Sequence, residues 1–229
     1  MRARRKNWAA HEIEINPLFI ENPAEYAGNW REYFGNDNPI HLEIGCGMGR
    51  FITQSAERNP NINYIALERE KNVIVTGARA AREADLKIAF IVGDAAELAD
   101  YFAPSELSRI YINFSDPWRN RKKWYKRRLT HSGFLEIYKT VMGASGEVFQ
   151  KTDNTQLFEF SLEQFSQNGF ALRNISLDLH KSDYTENIMT EYEAKFSAQG
   201  MPIYRCEAYY KKIIMNDTCH SERSEESCF

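Results

Sequence analysis

Ile40-His41-Leu42-Glu43-Ile44-Gly45-Cys46-Gly47-Met48-Gly49-Arg50 is the stretch on which the fold turns. An apolar run rich in isoleucine enters a turn with glycine at every second position, and a helix-compatible segment, Arg50 to Arg58, leaves it. Glycine tolerates positive φ and lets backbone approach a ligand where a side chain would collide. The spacing is G-x-G-x-G. The dinucleotide fingerprint G-x-G-x-x-G needs glycine where Arg50 stands, which argues against a nicotinamide cofactor.

Downstream the same rhythm repeats. Strands are expected at Tyr64 to Glu68, Ile88 to Val92, Arg109 to Phe114 and Glu147 to Lys151. Helices are expected at Asn72 to Glu83, Ala95 to Tyr101, Gly133 to Met142 and Thr155 to Gln167. Alternation of this kind describes a parallel sheet covered on both faces. After Gly169 two longer strand-like runs, Leu172 to Leu179 and Ile203 to Tyr210, bracket a polar stretch and suggest an antiparallel edge pair. No repeat and no Pro/Gly/Ser-rich linker divides the chain, so one domain is expected over residues 1–212, with a basic arm over about residues 1–8. Residues 213–229 lose all periodicity and are expected to be disordered.

The 229 residues are 43% hydrophobic and 13% aromatic, ample for a packed core. No run approaches the roughly 18 apolar residues of a membrane span, and no apolar segment follows the basic start to make a signal peptide. Four cysteines without a CxxC pair and five scattered histidines indicate neither a metal site nor a disulfide framework, as expected of a cytoplasmic protein. The net charge of −3 sits entirely in the last fourteen residues. In the neutral remainder the bases cluster: Arg2, Arg4, Arg5 and Lys6 open the chain, and Arg119, Arg121, Lys122, Lys123, Lys126, Arg127 and Arg128 share one ten-residue window.

Carboxylates mark successive strand ends. Glu43 precedes the glycine turn, Glu68 ends the second strand, and Asp94-Ala95 follows Gly93 after the third. Glu68 suits the two hydroxyls of a ribose, and Asp94 an adenine amino group. Each also has a structural explanation, as a turn cap, a solvated side chain and a helix N-cap respectively. Their coincidence at one sheet edge favours binding, because ligands of open α/β sheets collect there. Together with the glycine turn they resemble the class I methyltransferase fold, a Rossmann-like α/β sandwich whose mostly parallel seven-stranded sheet has an antiparallel edge strand.

Strand four runs into Asn113-Phe114-Ser115-Asp116-Pro117-Trp118 and then the basic window. With Arg127-Arg128-Leu129, Lys151-Thr152-Asp153-Asn154 and Thr190-Glu191-Tyr192-Glu193, this resembles the bacterial tRNA (guanine-N7)-methyltransferase family, TrmB, over roughly Asn7 to Lys211. The resemblance implies that Glu43, Gly45, Gly47, Gly49, Glu68, Asp94, Ala95 and Asp116 bind S-adenosylmethionine, with Asp116 also catalytic. It further implies that Asp153, Thr190, Glu191, Tyr192 and Glu193 contact substrate, and that Arg121, Lys122, Lys123, Lys126, Arg127 and Arg128 meet tRNA. Arg119 stands where the family has proline, and the basic loop is one residue longer. The family's substrate-contacting lysine therefore maps onto Asn120, Arg121 or Lys122, of which Arg121 is preferred.

Guanine N7 carries a lone pair and no proton, so the transfer needs placement and a carboxylate for the purine's developing charge, not an obligate general base. A plain turn with a buried indole explains Pro117 and Trp118 but not the adjoining bases, which phosphate neutralisation explains. Trp124 and Tyr125 are candidates either for stacking on a base or for packing. Cys46, Met48 and His131 have the character of packing or turn residues. Two other readings stay open: an amino methyltransferase acting on another base, whose loop would carry a second proline, and a non-catalytic RNA-binding module. The oligomeric state and the preferred tRNA species are not encoded in any motif.

Overall fold

The computed structural model describes residues 7–119 and 121–210. The arginines and lysine of the N-terminal arm before Asn7, Asn120, and the tail after Tyr210 lie outside the described residues. Among the described residues eight strands form one sheet: β1 (Phe19–Ile20), β2 (Ile40–Ile44), β3 (Asn63–Glu68), β4 (Ile88–Val92), β5 (Arg109–Asn113), β6 (Glu147–Thr152), β7 (Phe170–Ser176) and β8 (Tyr204–Tyr210). Their order is β1-β4-β3-β2-β5-β6-β8-β7. From β1 to β6 every pairing is parallel, while β8 runs antiparallel to both β6 and β7. The expected count of seven strands is corrected to eight, because Phe19 and Ile20 add a short parallel strand beside β4. Two residues are too few to show a period-two pattern, so the sequence hid them.

The helices are α1 (Ala9–Ile15), α2 (Trp30–Phe34), α3 (Arg50–Arg58), α4 (Lys71–Glu83), α5 (Leu98–Tyr101), α6 (Ser132–Met142), α7 (Thr155–Gln167) and α8 (Glu191–Ser197). The expected helix over Ala95 to Tyr101 is a 3₁₀ turn at Ala95–Glu97 continued by α5. The strand-like run expected over Leu172 to Leu179 is β7, which starts at Phe170 and ends at Ser176, three residues early, after a register break next to Asn174, which has φ +50°.

Alternate side chains of the strands make two unlike faces. Leu42, Ile44, Ile65, Leu67, Ile110, Ile112 and Val148 point into the larger apolar core, which α2, α5, α6 and α7 cover with Trp30, Phe34, Leu98, Leu135, Tyr138, Phe158 and Phe165. On the other face α3 and α4 bury Phe51, Ile52, Ile74 and Ala78 against Tyr64, Ala66, Phe90 and Tyr111. Beyond β5 that face turns polar. Arg109 pairs with Glu147 at 2.6 Å, Arg173 with Glu207 at 2.8 Å, and Arg205 with Glu207. A cavity of about 430 Å³ lies over this polar half, between α3 and residues 184–188. It reaches Asn113 and Lys151 but touches none of the glycine-turn residues.

Candidate cofactor and substrate site

Parallel register aligns the carboxyl ends of β2, β3, β4 and β5, so the loops that follow them share one edge. Gly45, Gly47 and Gly49 all have positive φ, at +74°, +57° and +81°. A Cβ built on Gly45 or Gly47 meets nothing within 4 Å, so these two face open space of the kind a ligand fills. Gly49 answers a different demand. Its Cβ would lie 2.7 Å from the Gly77 Cα, so glycine there lets the turn pack onto α4.

Glu43 is 1% exposed. One carboxylate oxygen accepts from the Asn113 side-chain amide at 2.9 Å, and the other, Oε2, is buried without a partner. Burial pushes its pKa up to about 8, against the opposing pull of Asn113 and Lys151. Glu68 organises the turn: Oε2 accepts from Gly47 N at 3.2 Å, while Oε1 accepts from Arg69 N at 2.8 Å and Glu70 N at 3.0 Å. Oε1 is filled by these two donors, and Oε2 retains a lone pair for a hydroxyl donor. Asp94 caps the turn at Ala95 by accepting from Ala96 N at 3.0 Å, and Oδ2 lies 3.6 Å from Arg69. The structural explanation for Asp94 is thus correct in itself, and its partly exposed carboxylate still faces the shared edge. An orphaned buried carboxylate oxygen, two open glycines and two acceptors at neighbouring strand ends fit the amino, ribose and adenine groups of S-adenosylmethionine.

Asp116 is exposed and has no hydrogen-bond partner among the described residues. It sits in a turn between two bulky residues with positive φ, Phe114 at +53° and Trp118 at +46°. Such conformations cost free energy and persist only where the surroundings impose them, which is a mark of functional turns. Phe114 N donates to the Lys151 carbonyl at 2.8 Å, tying the turn to β6. The Phe114 ring stacks with Tyr192 at 6.4 Å and with Phe196 at 6.2 Å, both from α8. Tyr192 is 55% exposed and presents the outer surface of this stack. Asp153 is half-buried after β6, and Thr190 caps α8 by accepting from Glu193 N at 2.9 Å.

Two expected contact residues are buried. Glu193 is 0% exposed, and its carboxylate accepts from Lys151 Nζ at 2.6 Å, from Asn187 Nδ2, and faces His180 Nε2 at 3.2 Å. It anchors α8 to the sheet, and its carboxylate is covered in the ligand-free chain. Arg128 is 1% exposed, its Nε donating to the Pro117 carbonyl, so unlike the other loop bases it is buried in the ligand-free chain. The physical reason is the aromatic pair Tyr125 and Phe160, which encloses its guanidinium.

The remaining loop bases, Arg121, Lys122, Lys123, Lys126 and Arg127, are exposed along a 3₁₀ segment, Lys122–Arg127. Both loop aromatics are engaged in packing: Trp124 meets Trp118 at 6.2 Å and Tyr125 meets Phe160 at 5.8 Å. Cys46 is buried, Met48 is 46% exposed in the turn, and His131 caps α6. Asn113 and Lys151, which lie in the quoted motifs without an implied role, and Asn187, His180 and Gly77, which lie in none, also build the site. A lysine at the end of a buried strand was the one available signal, since its charge demands a buried partner.

Among the described residues no helix is long and apolar enough to cross a membrane, and no three His, Cys, Asp or Glu side chains are grouped to hold a metal. A family model described as "Putative methyltransferase" matches residues 37–206. A tRNA (guanine-N(7)-)-methyltransferase of Geobacillus sp. (strain WCH70) is 50% identical over 212 residues, covering 92% of this chain and 96% of that protein. The enzyme of the same description from Bacillus subtilis (strain 168) is 50% identical over 213 residues, covering 92% and 100%. Among solved structures, the 16S rRNA methyltransferase KamB superposes with a TM-score of 0.61 at 12% identity, covering 80% of this chain and 93% of that one. An antibiotic-related methyltransferase gives 0.58 at 18% identity, covering 79% and 92%. These two likenesses concern the fold.

Proposed function

The chain belongs to the tRNA (guanine-N(7)-)-methyltransferase family, and from that premise we propose which of its residues perform the transfer. The protein is an S-adenosylmethionine-dependent methyltransferase acting on N7 of guanine in tRNA. We assign its target to the variable loop, position 46, and its working compartment to the cytoplasm, with one catalytic domain over residues 1–212. One observation carries the site assignment: β5, which adjoins β2, ends in a turn that leaves the Asp116 carboxylate exposed, and the cationic loop starts from that same turn.

When bound, S-adenosylmethionine supplies a sulfonium-activated methyl group. Gly45 and Gly47 admit it closely, Glu68 accepts from its ribose, Asp94 and Ala95 meet its adenine, and Glu43 with Asp116 faces its charged end. Asp116 and Asp153 accept the guanine N–H groups, and Thr190, Glu191 and Tyr192 frame the base, with the exposed Tyr192 ring available for stacking. N7 has no proton to lose, so these groups act by alignment and by stabilising the positive charge that appears on the purine. Arg121, Lys122, Lys123, Lys126 and Arg127 neutralise phosphates of the folded RNA.

Nucleoside analysis of tRNA incubated with the protein and labelled donor tests the reaction. Label in N7-methylguanosine is expected. Label on an exocyclic amine of adenine or cytosine would replace this reading with an amino methyltransferase, and tRNA binding without turnover would leave only an RNA-binding module.

A further inference from the structure

Arg128 differs from every other base of the cationic loop. Arg121 and Arg127 also lie over rings, those of Trp124 and Trp118, yet stay exposed, whereas Arg128 is 1% exposed and its Nη2 is buried without a partner. Its Nε–H donates to the Pro117 carbonyl at 2.8 Å, one residue beyond Asp116. Its guanidinium carbon lies 3.7 Å from the Tyr125 ring centroid and 4.5 Å from that of Phe160. Phe160 belongs to α7, and α7 is fixed beneath the loop by the Thr130–Ser161 hydroxyl bond at 2.7 Å and by Gln150 donating to the same serine at 2.9 Å.

A guanidinium held this way is costly to desolvate, and two ring faces with one carbonyl compensate it in part. Arginine suits the position because its planar group stacks while Nε–H points in the ring plane, a geometry that lysine does not reproduce. The carbonyl it holds lies inside the strained turn, between Phe114 and Trp118 at positive φ. The exposed residues Lys122, Lys123, Lys126 and Arg127 precede it directly in the chain, and Arg128 N donates back to the Tyr125 carbonyl at 3.0 Å.

We infer that Arg128 is a positioning residue for methyl transfer: it clamps the Asp116 turn against α7 and passes the docking of RNA on the outer face of the loop to that turn. This rests on the reading of Asp116 as the carboxylate facing the purine. Removing the clamp frees the turn to shift by about an ångström, which is enough to lower an alignment-dependent rate on the order of 100-fold.

The experiment measures saturated methyl-transfer rate, tRNA Kd and its salt dependence for the full-length wild type, Arg128→Ala, Arg128→Lys and Arg127→Ala. Arg128→Ala is expected to lose about 100-fold in rate with Kd within about threefold of wild type and an unchanged salt slope. Ethylguanidinium added at millimolar concentration should restore part of that rate in Arg128→Ala and none in Arg127→Ala. Arg127→Ala should instead raise Kd and flatten the slope.

If Arg128→Ala raises Kd and flattens the slope as Arg127→Ala does, Arg128 is a phosphate contact and the inference is wrong. If a folded Arg128→Ala transfers methyl at the wild-type rate, the residue is merely structural. Should the alanine variant not fold, the lysine variant decides: it keeps the charge and loses the stacked Nε–H, so a reduced rate supports the clamp and a full rate overturns it. Wild-type product separates the two levels. A wild type that makes no N7-methylguanosine refutes the functional reading and the clamp with it, while a wild type that makes it beside full-rate Arg128 variants refutes the clamp alone.

Discussion

Lys151→Met should be among the most destabilising single substitutions in this protein. Lys151 Nζ donates to Glu193 Oε2 at 2.6 Å, to the Ile188 carbonyl at 2.8 Å and to Asn187 Oδ1 at 3.1 Å, so all three of its protons are used. The two charged side chains are 7% and 0% exposed, which leaves water little access to screen them. Removing one member of a buried pair strands the other charge and typically costs about 3–5 kcal/mol. Glu193 keeps Asn187 and the His180 ring, which places the expected loss near the lower end, about 3 kcal/mol. Glu193→Gln should lose a similar amount. The double variant should be better than the sum of the singles by about 2 kcal/mol or more, because neither charge remains to be stranded. Urea unfolding at fixed pH, followed by circular dichroism, measures the cycle. Losses below about 1 kcal/mol for each single variant, adding without coupling, would mean that the pair behaves like a solvated surface contact and would refute the reasoning.

Three further outcomes follow from the site. Asp116→Ala should abolish transfer while tRNA binding stays near wild type, because the surrounding cations remain; undiminished turnover would remove Asp116 from the mechanism. Neutralising Lys122, Lys123, Lys126 and Arg127 together should flatten the salt dependence of tRNA binding by up to about 3–4 in log–log slope, and an unaltered slope would reject phosphate contact by this loop. Glu43→Gln should loosen donor binding yet stabilise the ligand-free chain at alkaline pH. Burial raises the folded pKa of Glu43 from 4.5 to about 8, so the folded state holds this proton more tightly than the unfolded one, and its contribution to stability is lost as pH rises across that window. Thermal melts of both proteins across it should converge at low pH and part at high pH. Parallel curves would show that Glu43 is not buried in the way described.

The parallel half of the sheet was legible because its strands are flanked by turn residues and alternate with helices of ordinary length. β2 ends where the first glycine begins, and Asp94 sits at the head of its helical turn. β1 and α2 escaped because two and five residues carry no usable periodicity. The carboxylates of the cofactor edge were legible from their place at strand ends, and the motif around Asp116 from its adjoining charge. The seven loop bases, by contrast, look alike in sequence. Only the packing of Tyr125 and Phe160, residues 35 positions apart in the chain, distinguishes Arg128 from its neighbours. The burial of Glu193 is hidden for the same reason: its partner Lys151 is 42 residues away, and a helix-borne acid beside an exposed tyrosine gives no local sign of it. Gly49 was assigned to the cofactor, and its reciprocal contact with Gly77 emerges only when α4 is set against the turn.

The most direct test of the account maps the modified nucleotide within tRNA. Transcript treated with the purified protein and donor is reduced and cleaved with aniline, which breaks the chain at N7-methylguanosine. A single cut at the variable-loop guanine, absent when Asp116→Ala replaces the wild type, is the predicted result. Cuts scattered over many guanines, or an intact chain carrying label on another base, would contradict it.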